Sequence, residues 1–579
     1  MKVLGVHIGH NSTAAILIRG RIVACVSEER FTRIKNQGGI PIRSIRYVLH
    51  NAGIKPENLD LIVISSLANA PHVTYEFKKG RRSIFREALW KVYKEFFTKY
   101  KTTDRLIKCN KISVAIQQKL WQTLDNVLSD MLGVDKSKII HAEHHLLHAY
   151  SVLYSSPVRD EEALIFTCDG EGDFLSATVN IFDGDKIRRV SKTLYTDSLG
   201  WLWYETTKYL GMKPNEHEYK VMGLAPYAPV SGLENCYKKF FADLIEVNDD
   251  LSFNSKINLS YSYPRLKKQL EGFRFDYIAG ALQKLTEELL SRWISKAIDR
   301  YKIHTALFSG GVFLNIKANM KIALLDKLRK CYFMPSGGDE SLAIGCAYFG
   351  AKFLDPSADL EPIKTLYLGP SFDDTHIEDA LESSGSKLYT YTKYNDIEDV
   401  IAELLTKGKI VARFKDRMEW GARALGNRSI LADASDFSTV KIINDMIKQR
   451  DFWMPFAPTI LDDFSPQYIK EPSPEKVNGQ YMIIGFMTTE QAKNDLKAAM
   501  HPYDLTIRPQ ILPRDHNPAY YKLIVSFYER TGRPAILNTS FNLHGEPIVC
   551  NVHDAINTFL KSGLEYMALG NYLVTKNKR

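Results

Sequence analysis

Residues 3–27 read VLGVHIGHNSTAAILIRGRIVACVS, and residues 163–192 read ALIFTCDGEGDFLSATVNIFDGDKIRRVSK. Each stretch alternates apolar runs of strand length with polar turns that contain glycine, which predicts three consecutive antiparallel strands. The same plan therefore occurs twice in one chain. In each copy the first turn contains glycine and polar residues, and its backbone N–H groups can hold an anion.

A third segment, Leu307–Met320, reads as an apolar strand, a turn at Gly310 and Gly311, and a helix that begins near Asn315. The start of such a helix can face a phosphate group. Asp169 lies in the first turn of the second copy, within Asp-Gly-Glu-Gly-Asp. We therefore predict that Asp169, Gly310, Gly311 and Asn315 contact a nucleotide.

Four histidines fall within eight residues, at His141, His144, His145 and His148. On a helix, His144 and His148 project from one face, where two neutral imidazoles can share a divalent ion. Asp339, in Pro-Ser-Gly-Gly-Asp-Glu, is the best third ligand because glycines allow close approach. Two histidines and one carboxylate favour Fe(II), with Mn(II) and Zn(II) as alternatives. A purely structural role for the histidines in capping or packing a helix is the competing interpretation.

The chain has 579 residues, of which 45% are hydrophobic and 25% charged, and it contains no apolar run of bilayer length. These values favour a soluble cytoplasmic enzyme with no signal peptide and no membrane partner. The seven cysteines form no CxxC pair, which argues against a disulfide framework. Closely spaced prolines between residues 356 and 370 mark a seam, so we predict domains at residues 1–355 and 356–579.

A second group of candidate residues is basic. Its members are Arg413, Lys415, Arg417, Arg423 and Arg428, followed by Lys448 and Arg450. Arginine forks bind phosphate or carboxylate at two points, so these residues predict an anion pocket. Asn538, Thr539, Ser540 and Asn542 follow a predicted strand near the C-terminus, where amides and hydroxyls can orient a nucleotide. A solvated basic surface is the competing interpretation.

Three segments carry a specific resemblance: residues 417–433 (RMEWGARALGNRSILAD), 454–458 (MPFAP) and 537–549 (LNTSFNLHGEPIV). They resemble the O-carbamoyltransferases of antibiotic, toxin and nodulation-factor biosynthesis. Residues 143–149 (EHHLLHA) and 9–15 (GHNSTAA) match the first domain of the same family. The resemblance covers nearly the whole chain.

This resemblance implies an α/β protein in which a duplicated actin-like (ribonuclease H-like) ATPase domain precedes a YrdC-like α/β domain. In such enzymes carbamoyl phosphate and ATP, with Mg²⁺, yield carbamoyl adenylate in the second domain. A hydroxyl group of a small-molecule natural product then attacks the mixed anhydride in the first domain. The expected partners are therefore carbamoyl phosphate, ATP and a hydroxylated acceptor, with no nucleic acid.

The resemblance also assigns residues. The metal ligands of the family fall on His144, His148 and Asp339. The groups around carbamoyl phosphate and ATP fall on Arg417, Lys448, Arg450 and Arg508, with Ser540 beside them and Asn538 in the same segment. His10 lies where the family has a candidate base for the acceptor hydroxyl, so we expect His10, Arg417 and Lys448 to be catalytic.

Three positions depart from the family pattern. Asn11 replaces an Asp, Ala422 replaces a Pro, and Met454 replaces a basic residue. The loss of an Asp charge at Asn11 affects the expected orientation of His10, and the loss of a cation at Met454 affects anion affinity. Enough basic groups are nearby to keep an active enzyme as the prediction.

Two other hypotheses are open. One is an RNA-modifying enzyme of the threonylcarbamoyl type, or a metallopeptidase-like enzyme, on the same first domain, and its sequence support is the basic stretch Lys78–Lys119. The other is a nucleotide-dependent scaffold, which leaves residues 417–433 unexplained. We expect acceptor selectivity in Leu67–Leu120 and in Asp197–Tyr227, where aromatic and polar residues are mixed.

Overall fold

The chain forms two compact units in a computed structural model that describes residues 1–67, 101, 111–159, 161–384 and 387–577. The first unit comprises residues 1–28 and 36–363, and the second comprises residues 29–35 and 364–579. We predicted a boundary after residue 355, and the division by internal contacts falls after Ile363. The segment Glu29–Lys35 joins the second unit although it lies near the start of the chain.

Both copies of the repeat lie in the first unit. Its strands are β1 (Lys2–His7), β2 (Thr13–Ile18), β3 (Arg21–Ser27), β4 (Leu61–Ser65), β5 (Ile139–Ala142), β6 (Ala163–Gly172), β7 (Leu175–Phe182), β8 (Ile187–Leu194), β9 (Ile245–Val247), β10 (Phe253–Ser255), β11 (Thr305–Ser309) and β12 (Lys330–Phe333). With α1 (Glu29–Thr32) assigned to the second unit, its helices are α2 (Ile42–Asn51), α3 (Lys111–Leu132), α4 (His144–Ser155), α5 (Leu199–Tyr209), α6 (Glu218–Leu224), α7 (Val230–Cys236), α8 (Tyr263–Leu270), α9 (Phe275–Tyr301), α10 (Ile316–Ala323) and α11 (Leu342–Leu354).

Two sheets of the first unit have the same topology. One has the strand order β3-β2-β1-β4-β5, and the other has the order β8-β7-β6-β11-β12. In each sheet the first three strands form an antiparallel meander. The first strand of the meander pairs in parallel with a fourth strand, and the fourth pairs in parallel with a fifth. The predicted repeat is therefore confirmed, as is the predicted strand, turn and helix over residues 307–320.

Helix α11 packs directly against the first sheet because two glycines remove the side chains between them. A Cβ atom on Gly5 of β1 would lie 2.0 Å from the main-chain oxygen of Ala343, and one on Gly345 would lie 2.1 Å from that of Leu147. Backbone therefore meets backbone where α11 crosses β1 and α4. Such contact fixes the position of α4 in the core.

The second unit is built on one mixed sheet. Its strands are β13 (Tyr389–Lys393), β14 (Val411–Phe414), β15 (Arg428–Ala432), β16 (Ala457–Leu461), β17 (Ile469–Glu471), β18 (Met487–Thr488), β19 (Gln510–Leu512), β20 (Ala535–Ser540), β21 (Tyr566–Leu569) and β22 (Tyr572–Lys576). Besides α1, its helices are α12 (Asp374–Ser383), α13 (Ile397–Thr406), α14 (Ser438–Ile443), α15 (Ser465–Tyr468), α16 (Glu490–Asp495), α17 (Pro518–Thr531) and α18 (Val552–Lys561).

The main sheet of the second unit has the order β13-β22-β21-β14-β15-β20-β16-β19, and β17 pairs separately with β18. The apolar stripes of α13 and α17 pack on it through residues such as Ile401, Leu405 and Phe527, which are fully buried. An α/β fold with mixed sheets is therefore confirmed for both units. The long central strands β15 and β20 pair antiparallel and bring Ser429 opposite Ser540.

Two further expectations concern the whole chain. Among the residues that the structure describes, no helix combines the length and the apolar character that crossing a membrane requires. Cys25, Cys168, Cys236, Cys331, Cys346 and Cys550 are buried, and none of these six described cysteines forms a disulfide bond. Most of the basic stretch Lys78–Lys119 lies outside the described residues.

The contact at Gly5 generates a stability prediction. Gly5→Ala places a methyl group against the backbone of α11, so we expect the free energy of unfolding of the first unit to fall by about 1–3 kcal/mol. Denaturant unfolding monitored by circular dichroism measures this change. Gly170→Ala is the matched control, since a Cβ atom there meets nothing within 4 Å, and an equal loss in both variants would contradict the packing described.

Candidate metal centre and anion site

The candidate metal centre begins at the N-terminus of α4. The Glu143 carboxylate caps this helix by accepting hydrogen bonds from the main-chain N–H groups of His145 at 3.0 Å and Leu146 at 2.8 Å. His144 and His148 are then one turn apart, and their ring centroids are 4.8 Å from each other. Both imidazoles are buried.

Asp169 from β6 and Asp339 from the loop after β12 complete a cluster with these histidines. One possible ligand atom from each of the four residues lies within 4.8 Å of the others. His148 Nε2 lies 3.1 Å from Asp169 Oδ2 and 3.8 Å from Asp339 Oδ1, and His144 Nε2 lies 3.7 Å and 3.6 Å from the same two atoms. Within the described residues His144 Nε2 is buried without a hydrogen bond.

Neighbouring groups hold the ligand atoms in place. His148 Nδ1 lies 3.2 Å from Ser309 Oγ and 3.3 Å from Ser341 Oγ, so its Nε2 faces the carboxylates. The N–H of Gly170 donates to Asp169 Oδ1 at 2.6 Å. A Cβ atom on Gly172 would lie 2.1 Å from His144 Cγ, so this glycine makes room for the ring.

The electrostatics of the cluster favour a bound cation. Burial opposes the imidazolium form of His144, but Asp169 and Asp339 outweigh it and raise the pKa of His144 to about 9. Burial also opposes ionisation of Asp169, yet His144 and His148 hold its pKa well below the ordinary value. Two imidazole nitrogens and two carboxylate oxygens fit Fe(II), Mn(II) or Zn(II), which would displace the proton from His144.

The other two histidines of the predicted run face elsewhere. His141 Nε2 lies 2.9 Å from Asp125 Oδ1 of α3, and His145 Nδ1 lies 2.8 Å from Thr167 Oγ1. Of the four histidines, the structure brings together only the pair that helical spacing selects. Asp169, which we predicted as a nucleotide contact, lies among the candidate metal ligands.

Two residues of this centre were missed by the sequence analysis. His7, at the end of β1, has Nε2 at 2.9 Å from the carbonyl oxygen of His10 and 3.7 Å from Asp339 Oδ2, and burial lowers its pKa to about 4. Asp173 accepts from the N–H of His144 at 2.9 Å and from Ser66 Oγ at 2.6 Å. Their place in the repeat could have identified them, because His7 ends the first strand of one copy and Asp173 directly follows the first strand of the other.

The turns around the cluster contain the remaining residues predicted in the first unit. His10 is half-buried, and the Nδ2 group of Asn11 donates to Glu340 Oε2 at 3.4 Å. Gly310 has a φ of 107°, and a Cβ atom on Gly311 would lie 3.0 Å from Asp169 Oδ1. The Gly310–Gly311 turn therefore lies beside the cluster.

Asn315 is engaged within the protein at both ends of its amide. Its Oδ1 accepts from the N–H of Ala318 at 3.0 Å and caps α10, and its Nδ2 donates to Gln283 Oε1 at 2.8 Å. Its predicted nucleotide contact stays a prediction.

In the second unit, two arginines of the predicted anion pocket are structural. Arg413 and Arg428 are fully buried. Arg413 Nη1 donates to the Gly426 carbonyl oxygen at 2.8 Å, and Arg428 donates to four main-chain carbonyls, including that of Asp416 at 3.1 Å. Both side chains fix the loop between β14 and β15 through these hydrogen bonds, and the prediction that they line an anion pocket stays a prediction.

Lys448 is the centre of the candidate anion site. It is 2% exposed and ends a π-helical turn, Asn444–Lys448. Its Nζ donates to the carbonyl and hydroxyl oxygens of Ser540 and to Asn542 Oδ1 at 2.8 Å. Burial, with the nearby charges of Arg450 and Lys35, lowers the pKa of Lys448 well below its ordinary value.

Other cations surround this lysine. Burial and the charges of Arg423 and Arg450 lower the pKa of Arg508. Arg450 Nη2 donates to Thr539 Oγ1 at 3.3 Å, and its guanidinium lies 5.0 Å from the centroid of the Phe456 ring. Burial and neighbouring positive charge thus lower the pKa values of Lys448 and Arg508, and such a group of cations suits a multivalent anion.

Arg417 and Asn538 flank the basic residues. Arg417 donates to the carbonyl oxygens of Leu368 at 2.8 Å and Gly369 at 3.2 Å. Asn538 Nδ2 donates to Thr459 Oγ1 at 3.1 Å, while its buried Oδ1 has no hydrogen bond within the described residues. An oriented amide oxygen is therefore available at the end of β20.

The fold and the two sites define an α/β protein with a candidate metal centre in one unit and a candidate anion site in the other. Residues 2–348 match the family model for the carbamoyltransferase N-terminus, and residues 402–576 match the model for the carbamoyltransferase C-terminus. The chain belongs to the carbamoyltransferase family of transferases. The resemblance given by residues 417–433 and 537–549 is thereby confirmed.

The similarity to two related proteins covers all or nearly all of this chain. The uncharacterized protein MJ1051 of Methanocaldococcus jannaschii is 32% identical over 583 residues, covering 100% of both chains. Nodulation protein NolNO of Sinorhizobium fredii is 31% identical, covering 97% of this chain and 78% of its own length. Among solved structures, T. kodakarensis HypF overlaps 61% of this chain and 48% of its own at 14% identity, with a TM-score of 0.32, which is too low to support an inference.

The cluster generates a metal-binding prediction. We expect His148→Ala and Asp169→Asn to retain less than about a tenth of the wild-type content of Fe(II) or Zn(II), because the first removes a ligand atom and the second replaces a carboxylate with a neutral amide. Inductively coupled plasma mass spectrometry after anaerobic loading measures metal per chain. His141→Ala is the control with wild-type content, and a similar loss in that variant would show that the cluster does not bind the metal.

The lowered pKa of Lys448 generates a prediction about pH. An anion stabilises the charged amine, so binding of pyrophosphate takes up a proton wherever the free amine is neutral, and its affinity falls as the pH rises from the lowered pKa of Lys448 toward the ordinary lysine value of about 10.4. Calorimetry of pyrophosphate binding across this range measures the slope. In Lys448→Met the binding is weak and the slope is smaller, whereas an unchanged slope in this variant would assign the titration to another group.

Proposed function

We propose that the protein is an ATP-dependent O-carbamoyltransferase whose two units divide the reaction. In the second unit, acting as the YrdC-like domain, carbamoyl phosphate, ATP and water yield carbamoyl adenylate, phosphate and pyrophosphate. In the first unit, which corresponds to the actin-like domain, a hydroxyl of a small molecule attacks the carbamoyl carbon and AMP leaves. The observation that carries the proposal is the buried Lys448 amine near the half-buried Arg450, with Arg508 also near Arg450, in a chain of the carbamoyltransferase family.

The anion site suits adenylate formation. Water converts carbamoyl phosphate to carbamate and phosphate, and an oxygen of carbamate then attacks the α-phosphorus of ATP and displaces pyrophosphate. Two anions must approach each other in this step, and fixed cations offset their repulsion before and during the reaction. Lys448, Arg450 and Arg508 supply these charges, while Arg417 and Asn538 orient the polar groups of the substrates. ATP is expected to enter with Mg²⁺. Lys448 is held rigidly by Ser540 and Asn542, so little reorganisation precedes the reaction.

The metal centre suits the transfer step. A divalent ion held by His144, His148, Asp169 and Asp339 would supply Lewis-acid polarisation without redox chemistry. His10 takes the proton of the acceptor hydroxyl, since an alcohol is a poor nucleophile until a base removes that proton. His7 fixes the turn that carries His10 through its bond to the His10 carbonyl oxygen.

Residues 197–227 are proposed to contact the acceptor because their first helix lies against the cluster. Ser198 Oγ donates to the carbonyl oxygens of Gly170 at 2.7 Å and Asp169 at 3.1 Å. A Cβ atom on Gly200 would lie 2.7 Å from the Asp169 carbonyl oxygen. The start of α5 is therefore adjacent to the candidate ligand Asp169. Trp201 and Tyr204 lie on the same helix, with ring centroids 5.0 Å apart.

Pyrophosphate release tests the proposed activity. With ATP, Mg²⁺ and carbamoyl phosphate, the purified protein should release pyrophosphate, and Lys448→Met should lower the rate at least about 100-fold because a buried catalytic charge is lost. A coupled phosphate assay with pyrophosphatase measures the rate after subtraction of free phosphate.

Lys407→Met is the matched control in the same unit, since Lys407 is exposed and pairs only at the surface with Glu403. It should retain the wild-type rate. Release that does not need carbamoyl phosphate, or that survives in Lys448→Met, contradicts the proposal.

A further inference from the structure

A short segment near the N-terminus belongs to the second unit. We call residues 29–35 (ERFTRIK) the strap. The chain leaves the first unit after Glu28 and returns at Asn36. Ser12 holds both ends, because its carbonyl oxygen accepts from the Glu28 N–H at 2.9 Å and its own N–H donates to the Gln37 carbonyl oxygen at 2.8 Å. The residues on either side of the strap are therefore both hydrogen-bonded to Ser12.

Two arginines of the strap bind main-chain carbonyls of the second unit. Arg30 is 5% exposed, and its Nη2 donates to the Gly421 carbonyl oxygen at 2.8 Å. Arg33 donates from Nη1 to the Ile548 carbonyl oxygen at 2.6 Å and from Nη2 to the Pro547 carbonyl oxygen at 2.7 Å. The forked guanidinium of Arg33 thus holds two consecutive peptide groups.

Between these arginines, Phe31 packs on a small apolar cluster that both loops share. Met418 and Ala424 come from the loop before β15, and Ile548 and Cys550 come from the segment after β20. The strap therefore joins two loops by an apolar contact at its centre and by charged hydrogen bonds on either side.

The two loops are those that present the anion site. The loop between β14 and β15 carries Arg417 and Arg423. Ser540 ends β20 and Asn542 lies in the segment after it, and both hold the Lys448 amine. A direct hydrogen bond joins the two regions where the loop meets β15, because the Phe541 N–H donates to the carbonyl oxygen of Arg428, the first residue of β15, at 2.9 Å.

We propose that Arg30 and Arg33 are positioning residues that hold the loops of the anion site in register. Like charges repel, so a group of buried cations needs external restraint to stay together before an anion binds. The strap provides it through hydrogen bonds to carbonyl oxygens of the two loops. Carboxylates also lie near its guanidinium groups, with Glu546 3.5 Å and Asp554 3.8 Å from Arg33. This inference rests on the proposed function in that the anion site is taken to bind substrate phosphates.

Hydrogen exchange of the full chain tests the restraint. Arg33→Ala should accelerate amide exchange in residues 421–428 and 541–549 at least about tenfold, because the bonds to Pro547 and Ile548 are lost. Arg33→Lys should give a smaller increase in the same segments, since an ammonium group cannot reproduce the fork. Arg46→Ala, at an exposed arginine of the first unit, is the control without change.

Calorimetry of inorganic pyrophosphate binding tests the positioning. We expect an affinity about tenfold weaker in Arg33→Ala and an intermediate value in Arg33→Lys, a graded loss that a general loss of folded protein does not produce. If Arg33→Ala does not fold, Arg33→Lys decides through the same two measurements. Unchanged exchange in the two segments, exchange that rises evenly over the second unit, or unchanged affinity in both variants overturns the inference.

The two proposals fail differently. If the wild-type protein binds pyrophosphate and the strap variants bind it equally well, only the inference about the strap is overturned. If the wild-type protein neither binds pyrophosphate nor releases it from ATP, the proposed function is overturned, whatever the exchange rates show.

Discussion

Like charges held close together are the constraint on which both sites depend. In the first unit the carboxylates of Asp169 and Asp339 share one small cluster, and in the second unit Lys448 and Arg508 lie among other cations. Two like charges at 4 Å repel by about 4 kcal/mol at an effective dielectric constant near 20. The folded chain must supply this energy, and it does so with backbone packing in one unit and with carbonyl oxygens in the other. Sites that hold such charge are prepared for ligands of opposite sign.

The topology of the first unit explains how its charged residues come together. Parallel strands place their carboxyl ends at one edge of a sheet, where ligands bind in open α/β folds. His7 ends β1, Asp169 lies on β6, and Asp339 follows β12, while α4 carries both histidine ligands into the same region. Close backbone contact at Gly5 and Gly345 fixes α11 and, through it, α4. Packing remote from the cluster therefore sets the distances within it.

Local patterns in the sequence predicted the parts of this structure that depend on neighbouring residues. Strand and turn periodicity predicted the repeated meander, and helical spacing selected His144 and His148 from four histidines. Burial was not predictable, since Arg413 and Arg428 look like ligands in the sequence but are fully buried hydrogen-bond donors. Contacts between distant segments were also beyond reach: nothing around Arg33 indicates that it binds Pro547 and Ile548. Asp169 was predicted to contact a nucleotide, and the structure places it among the candidate metal ligands. A polar turn that contains glycine suits either ligand.

The cations of the second unit are proposed to serve adenylate formation, and the metal cluster of the first unit is proposed to serve carbamoyl transfer. The product formed by Asp339→Asn tests this division most directly. This variant alters the metal cluster and leaves the cations around Lys448 unchanged. Given carbamoyl phosphate, ATP and Mg²⁺ with a panel of hydroxylated acceptors, it should form carbamoyl adenylate, detected by mass spectrometry of the quenched mixture, without a carbamoylated acceptor. Carbamoylation of an acceptor at the wild-type rate, or loss of carbamoyl adenylate in a folded variant, would contradict the division.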